Sequence, residues 1–407
     1  MSCTVSVPGS HPLIYLNSRN LQLILPHTQR PLASYSQPYT PKFLGLQHNS
    51  GIWPAASYGE GVIIGILDTG IWPESESFSD SGMPSIPQRW NGKCENGTIF
   101  SSSDCNRKLI GAQSFSKGIK AAGLKISKTY DFDSPRDFDG HGTHTSSTAA
   151  GNQVLGVSHF GYARGTARGI APGAHVAMYK VLWARDTDAS AASDVLAGMD
   201  QAIAGWWNDG ARNSIINGAP WITTVGAGTI DRSFTATVTL ENDSDFEGSM
   251  RHERKGAKIK SMRFLTTKLG TKPEPQVAFF SSRGLNPISP SVLKPDILAP
   301  GVDVLAAVTP NVPFMTIGNY DLVSDYELNS GTSMATPHVA GVAALLKAVH
   351  WEWSPAAIRS AIMTTAYSID NTGSILKDET TGLPATPLDF GARPYRSKQS
   401  HGPRTHL

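Results

Sequence analysis

The sequence predicts an α/β protein built on a largely parallel central sheet flanked by helices, and three observations carry that prediction. Gly61-Val62-Ile63-Ile64-Gly65-Ile66-Leu67-Asp68-Thr69-Gly70 is a short, continuous apolar run that ends on an acid, the pattern of a strand buried on both faces. Val176 to Leu182 and Pro220 to Gly226 read as further strands of the same kind. Between them, Ser193 to Trp206 has the spacing of an amphipathic helix, with Ser193 placed to cap it.

Composition narrows the function classes. The chain has 407 residues, 40% of them apolar and 17% charged, an ordinary globular composition with ample material for a core. Its length suits one large α/β core or two to three smaller domains. A net charge of +2 supplies no strong field for phosphate, so nucleic acid is not an expected partner. No run reaches the ~20 apolar residues of a membrane span, and no membrane partner is expected. At the N-terminus, Leu13 to Leu16 and Leu21 to Leu25 are broken by Asn17, Arg19 and Asn20, so no signal peptide is visible. Residues 1–39 carry no period and are expected to be poorly ordered or atypical. Cys94 and Cys105 flank a Gly/Ser/Asn-rich stretch and are able to close a short loop by a disulfide, which requires an oxidising compartment; Cys3 is left over. Sequons at Asn96-Gly97-Thr98 and Asn242-Asp243-Ser244 agree with a secretory route.

Taken in order, organisation begins at Thr40-Pro41-Lys42-Phe43-Leu44-Gly45-Leu46. Asp68 closes the first strand, at the carboxyl end where open α/β sheets place functional groups. Taken alone, Asp68-Thr69-Gly70 also suits a simple turn or an aspartic-protease motif. Ser134 to Gly151 puts His141 near the start of a helix of small residues. His141 and His144, at i and i+3, admit a metal-ligand reading, but no nearby Glu or third histidine completes a zinc site. Asp243 to Lys272, with Arg251-His252-Glu253-Arg254-Lys255, reads as a solvated surface with one strand. Ser281 to Gly284 and Lys294 to Gly301 read as turn-rich and Pro-bounded.

Asn329 to His338 then delivers Ser333 to a helix whose apolar face runs through Val339, Val342, Leu345, Leu346 and Val349. A serine there is either a helix cap or a nucleophile served by unpaired N–H groups. Trp353 to Met363 reads as another helix, capped by Ser354 with Pro355 at its first position. The tail, residues 392–407, is basic and unpatterned and is expected to be disordered.

A serine hydroxyl needs a base to become a nucleophile, and the histidine that serves it needs a carboxylate to fix its tautomer. Asp68, His141 and Ser333 offer these roles in the chain order acid, base, nucleophile, unlike the orders of chymotrypsin or the α/β-hydrolases. Asp68-Thr69-Gly70, His141-Gly142-Thr143-His144 and Gly331-Thr332-Ser333-Met334-Ala335-Thr336-Pro337-His338 together resemble the subtilisin-like serine proteases. Thr40 to Leu46, Gly70-Ile71-Trp72-Pro73-Glu74-Ser75 and Pro220 to Ala227 resemble the plant subtilases in particular.

The resemblance implies a peptidase domain over residues 40–391 with a seven-stranded, largely parallel sheet. It also implies an endopeptidase acting on protein or peptide substrates through an acyl-enzyme, with no cofactor and no metal. Asp68 would orient His141, His141 would act as base and then acid, and Ser333 would attack. A Cys94–Cys105 disulfide and secretion to the apoplast are further implications. The chain departs from the pattern between Trp206 and Pro220, where the family has two central strands, a substrate-binding Ser-Leu-Gly and an oxyanion-hole Gly-Asn. Asn208, Asn213 and Asn217 stand in that shortened connection, outside any matching motif. The expected insert is reduced to about 229–275, no inhibitory propeptide is recognisable, and Arg393 to Leu407 stand where the family has a β-sandwich. The expectation is therefore an impaired peptidase that lacks two central strands. The alternative is an inactive binding or decoy protein, or the product of an incomplete gene model.

Overall fold

The computed structural model describes residues 39–183, 192–204, 222–240, 245–248, 259–284, 291–317 and 319–391. The expected strand around Asp68 is β1 (Ile63–Asp68), and β2 (Leu109–Ser114) and β3 (His175–Lys180) join it in a parallel sheet of order β1-β3-β2. In the β1–β3 register Asp68 stands opposite Lys180, so both charged groups emerge at the carboxyl edge. A second parallel pair is formed by β4 (Val225–Gly228) and β5 (Ile297–Pro300). The latter lies in the segment read from sequence as turns. Four residues between prolines are too short for a hydrophobic period to register, and the strand is recognisable only from its pairing.

Two helices knit these pieces. α1 (His141–Ala150) lies against β1, and α3 (Thr332–Val349) touches β1, β4 and β5. Ala344 and Leu345 of α3 enter the apolar cluster of Val62, Ile64, Val176 and Met178. On its other side, Ala335, Val339 and Leu346 enter the cluster of Val225, Ala227, Ile297 and Ala299, which α4 (Pro355–Thr365) closes with Ile358 and Ile362. The expected Ser354 cap is present, its side chain accepting from Ala357 N–H. Val349, assigned from sequence to the same apolar face, is 39% exposed, because it is the last residue of the helix and lies past the sheet.

Among the described residues, no strand pairs with the edge of β1 that faces away from β3. The carbonyls of Val62 and Asp68 point toward β3, so by alternation the N–H and C=O groups of Ile63, Gly65 and Leu67 face that open edge. The fold is thus α/β, and among the described residues α3 bridges two parallel sheet pieces. Residues 205–221, which contain Asn208, Asn213 and Asn217, lie outside the described residues, as do residues 1–38 and 392–407.

The region read as a solvated surface with one strand contains two, Asp245–Gly248 and Ile259–Leu269, which flank Arg232–Leu240 in an antiparallel sheet. Along the sequence these strands interleave apolar residues with Lys, Arg, Thr, Ser, Asp and Glu, so by composition the region reads as solvated although an antiparallel sheet needs only one apolar face. α2 (Ala192–Ala204) includes Ser193 within the helix, where it is not a cap. Asp194 of α2 instead accepts from Gly118 N–H and Ile119 N–H, at 2.6 and 2.9 Å. Cys94 and Cys105 are joined by a disulfide.

Because Leu345 is fully buried where α3 meets the first cluster, Leu345→Ala should destabilise the protein by about 2–5 kcal/mol. The check is the urea midpoint, and an unchanged midpoint would show that α3 does not bind the sheet pieces together.

Candidate active site

Asp68 ends β1 with its side chain buried, and His141 begins α1 with its ring half-buried. His141 Nδ1 and Asp68 Oδ1 lie 2.6 Å apart. A carboxylate only accepts, so Nδ1 carries the proton and Nε2 is left with a lone pair when the ring is neutral. Asp68 Oδ1 also accepts from Thr69 N–H at 2.7 Å, and Oδ2 from the Thr145 hydroxyl at 3.0 Å. The acid is therefore fixed from both oxygens.

The start of α1 is seated on the loop that follows Asp68. A Cβ at Gly142 would lie 2.1 Å from Gly70 O, so only glycine allows this approach. Gly140, the residue ahead of the helix, has φ 99°, a left-handed conformation that glycine adopts without strain. Asp137, fully buried, accepts from Gly140 N–H, Thr143 N–H and the Thr143 and Thr69 hydroxyls.

Ser333 is half-buried in the first turn of α3, where N–H groups have no carbonyl one turn earlier in the helix. α1 and α3 run in the same direction. Ala149 O lies 3.0 Å from where a Gly341 Cβ would be, and both residues stand about two turns past His141 and Ser333 respectively. Near the starts of the helices, His144 and His338 lie close enough to interact electrostatically. The beginnings of both helices thus lie at one end of the packed pair. The structure joins Asp68 to His141 directly; no hydrogen bond links Ser333 Oγ to His141 among the described residues.

His141 and His144 do not act alike. His144 is fully buried, and its Nε2 lies 3.0 Å from Val304 O and 3.2 Å from Glu327 O, so that nitrogen is a donor. Burial pushes its pKa down to about 4. Among the described residues no group of three His, Cys, Asp or Glu side chains is arranged to hold a metal ion. For His141, burial is the largest single influence and lowers the pKa, but the hydrogen bond and charge of Asp68, with Asp139 and Asp137, outweigh it and the net shift is upward. The carboxyl of Asp139 is itself raised, by burial first and by Asp137 next.

Sequence reading did not single out Asp137, Thr69, Thr145 or Lys180. Asp137 stands further from the helix start than a capping residue does, and the other three act through tertiary contacts that carry no local signal.

An acid and a histidine joined at the carboxyl edge of a parallel sheet, beside a helix that opens on Gly-Thr-Ser, define the subtilase class. The family model described as the subtilase family matches residues 59–392, and the chain belongs to that family. It is 38% identical to Subtilisin-like protease SBT1.7 of Arabidopsis thaliana over 495 aligned positions, covering 87% of this chain and 65% of the relative. To Subtilisin-like protease SBT3 of Solanum lycopersicum it is 39% identical over 488 positions, with 87% and 64% covered. The chain therefore spans a little under two thirds of these relatives' length. Both alignments are longer than the 407 residues of the chain itself, so the relatives carry segments absent here within the matched region. Among solved structures, fervidolysin from Fervidobacterium pennivorans aligns with a TM-score of 0.44 at 17% identity, covering 86% of this chain and 46% of that one.

Replacing Asp68 by Asn removes the hydrogen-bonded charge and leaves the burial of His141 opposed only by the charges of Asp139 and Asp137. Its titration, followed by NMR of histidine-labelled protein, should move to lower pH; a titration that stays in place would show that Asp68 does not govern the ring.

Proposed function

We propose that the chain is a serine endopeptidase in which Asp68, His141 and Ser333 form a catalytic triad. The peptidase domain runs over residues 40–391, with a reduced insert around 229–275. The observation that carries this reading is the 2.6 Å contact between His141 Nδ1 and Asp68, which leaves Nε2 as the base. The shared direction of α1 and α3 supports Ser333 as its client. His141 Nε2 takes the Oγ proton as Ser333 attacks the scissile carbonyl, and the imidazolium that forms is stabilised by Asp68. The same proton passes to the leaving amine, and water then releases the acyl group by the reverse sequence. The Ser333 N–H at the start of α3 serves the oxyanion, with the helix dipole in the same sense.

The reading includes impairment. Loss of a side-chain oxyanion donor reduces turnover by about 10²–10³-fold, roughly 2.7–4 kcal/mol. No residue of this chain is assigned that role. A second reading, an inactive subtilase-like binding protein, is favoured by the absence, among the described residues, of a Ser333–His141 hydrogen bond and of a strand pairing with the edge of β1 away from β3.

Protein or peptide substrates follow from the reading, as does secretion. No helix among the described residues is long and apolar enough to cross a membrane. The Cys94–Cys105 disulfide suits an oxidising compartment. Asn96 is exposed in the loop that this disulfide closes and accepts from Ser102 N–H through Oδ1, which leaves its amide nitrogen available for an N-linked glycan.

Ser333→Ala and His141→Ala should each abolish hydrolysis of an unfolded protein substrate, and robust hydrolysis by either variant would remove the assignment. The base must be neutral to accept a proton, and the His141 pKa is raised. The wild-type rate should therefore fall as pH drops through a midpoint above histidine's ordinary value of 6.5; a midpoint below that value would contradict the assigned base. In protein recovered from a plant secretory pathway, Asn96→Gln should lack one glycan's mass, and identical masses would exclude that site.

A further inference from the structure

The strongest unassigned feature lies beneath the Asp68–His141 pair. Three separate parts of the chain meet there: the Thr69–Trp72 loop after β1, the 131–137 segment, and the first turn of α1. Ile71 N–H donates to Pro135 O at 3.0 Å, and Asp137 N–H donates back to Ile71 O at 3.1 Å. Lys180, at the end of β3 and fully buried, supports the segment from below: its ammonium bonds Asp131 and, at 2.8 Å, Arg136 O. Arg136 makes a paired contact with Glu74 and lies over the Trp72 ring.

Asp137 is the node where these supports converge on the site. Its Oδ1 accepts from the Thr69 hydroxyl and Gly140 N–H, both at 3.0 Å, and its Oδ2 from Thr143 N–H at 2.9 Å and the Thr143 hydroxyl at 2.6 Å. The Thr69 hydroxyl, having donated to Asp137, accepts from Gly142 N–H at 2.8 Å. Thr69 and Gly142 are the neighbours of Asp68 and His141 respectively. The hydroxyl therefore ties the residue after the acid to the residue after the base.

We propose that Asp137, acting through the Thr69 hydroxyl, is a positioning residue that holds His141 at hydrogen-bonding distance from Asp68. The inference rests on the peptidase reading for its catalytic meaning, but it concerns a geometry that can be measured without turnover. A buried carboxylate that accepts four bonds is satisfied only by donors held in this arrangement. Loss of one strand of the node frees the start of α1 to shift relative to β1. A displacement on the order of 1 Å in such a pair lowers the rate by roughly 10²-fold.

Asp137→Asn is the obvious test but is ambiguous, because it also removes a charge that His141 feels and is able to unfold a fully buried site. Thr69→Val is the decisive variant: it changes no charge, keeps the side-chain shape and deletes both hydroxyl bonds. The His141 titration should move to lower pH in Thr69→Val, as the bond to Asp68 loosens, and return to the wild-type position in Thr69→Ser. Fluorophosphonate labelling of Thr69→Val should slow roughly 10²-fold. A folded Thr69→Val protein with the wild-type His141 titration would overturn the proposal. If wild-type protein takes no label while the titration shifts as expected, the positioning role stands and the nucleophile assignment falls.

Discussion

The hydrogen bond between Asp68 and His141 is the constraint on which the rest of the site depends. It joins the end of a buried strand to the start of a helix, two elements that the chain brings together from 73 residues apart. Holding it requires a helix start that approaches the strand's own loop closely, hence Gly142 against Gly70. It also requires an anchor for each side, which Thr145 gives the acid and Asp137 gives the helix. The electrostatics follow from the same contact. Burial by itself would keep His141 neutral to lower pH, and the carboxylates around it reverse that tendency.

The support beneath this pair is unusually charged for a protein interior. Lys180 is fully buried at the carboxyl end of β3, the middle strand of its sheet, and its cost in desolvation is offset by Asp131 and two backbone carbonyls. Its pKa is lowered, by burial first, with Asp131 opposing. A buried ion pair of this kind contributes little net stability compared with apolar packing, but it fixes one geometry. The loop it fixes is the one that carries Asp137 to the helix.

Much of this was legible in the sequence, for identifiable reasons. β1 announced itself because Ile64 and Ile66 pack into one apolar cluster and Ile63 and Leu67 into another, which leaves a continuous apolar run, and the starts of α3 and α4 because Gly-Thr-Ser and Ser-Pro are local signals. The pairing of Asp68 with His141 was legible from the Asp-Thr-Gly and His-Gly-Thr-His motifs, and the structure joins them; Ser333 enters the set by its own motif and by chain order alone. The β5 strand and the antiparallel sheet around Arg232–Leu240 were not: the first is defined by its partner β4, and the second interleaves its apolar residues with Lys, Arg and Thr along the sequence, a composition that reads as solvated surface. Asp137 and Lys180 were invisible for a different reason, since each acts on residues that no local pattern connects to it.

α3 binds both sheet pieces through opposite faces, so the serine-bearing helix remains anchored even where no strand lies beside β1 among the described residues. That anchorage is what brings Ser333 within reach of His141 in solution under the proposed mechanism. It is tested most directly by reacting the folded protein with a fluorophosphonate and mapping the adduct by peptide mass spectrometry. The account predicts a single phosphonylated serine at Ser333; an adduct on another serine, or none under conditions where an active serine hydrolase reacts fully, would contradict it.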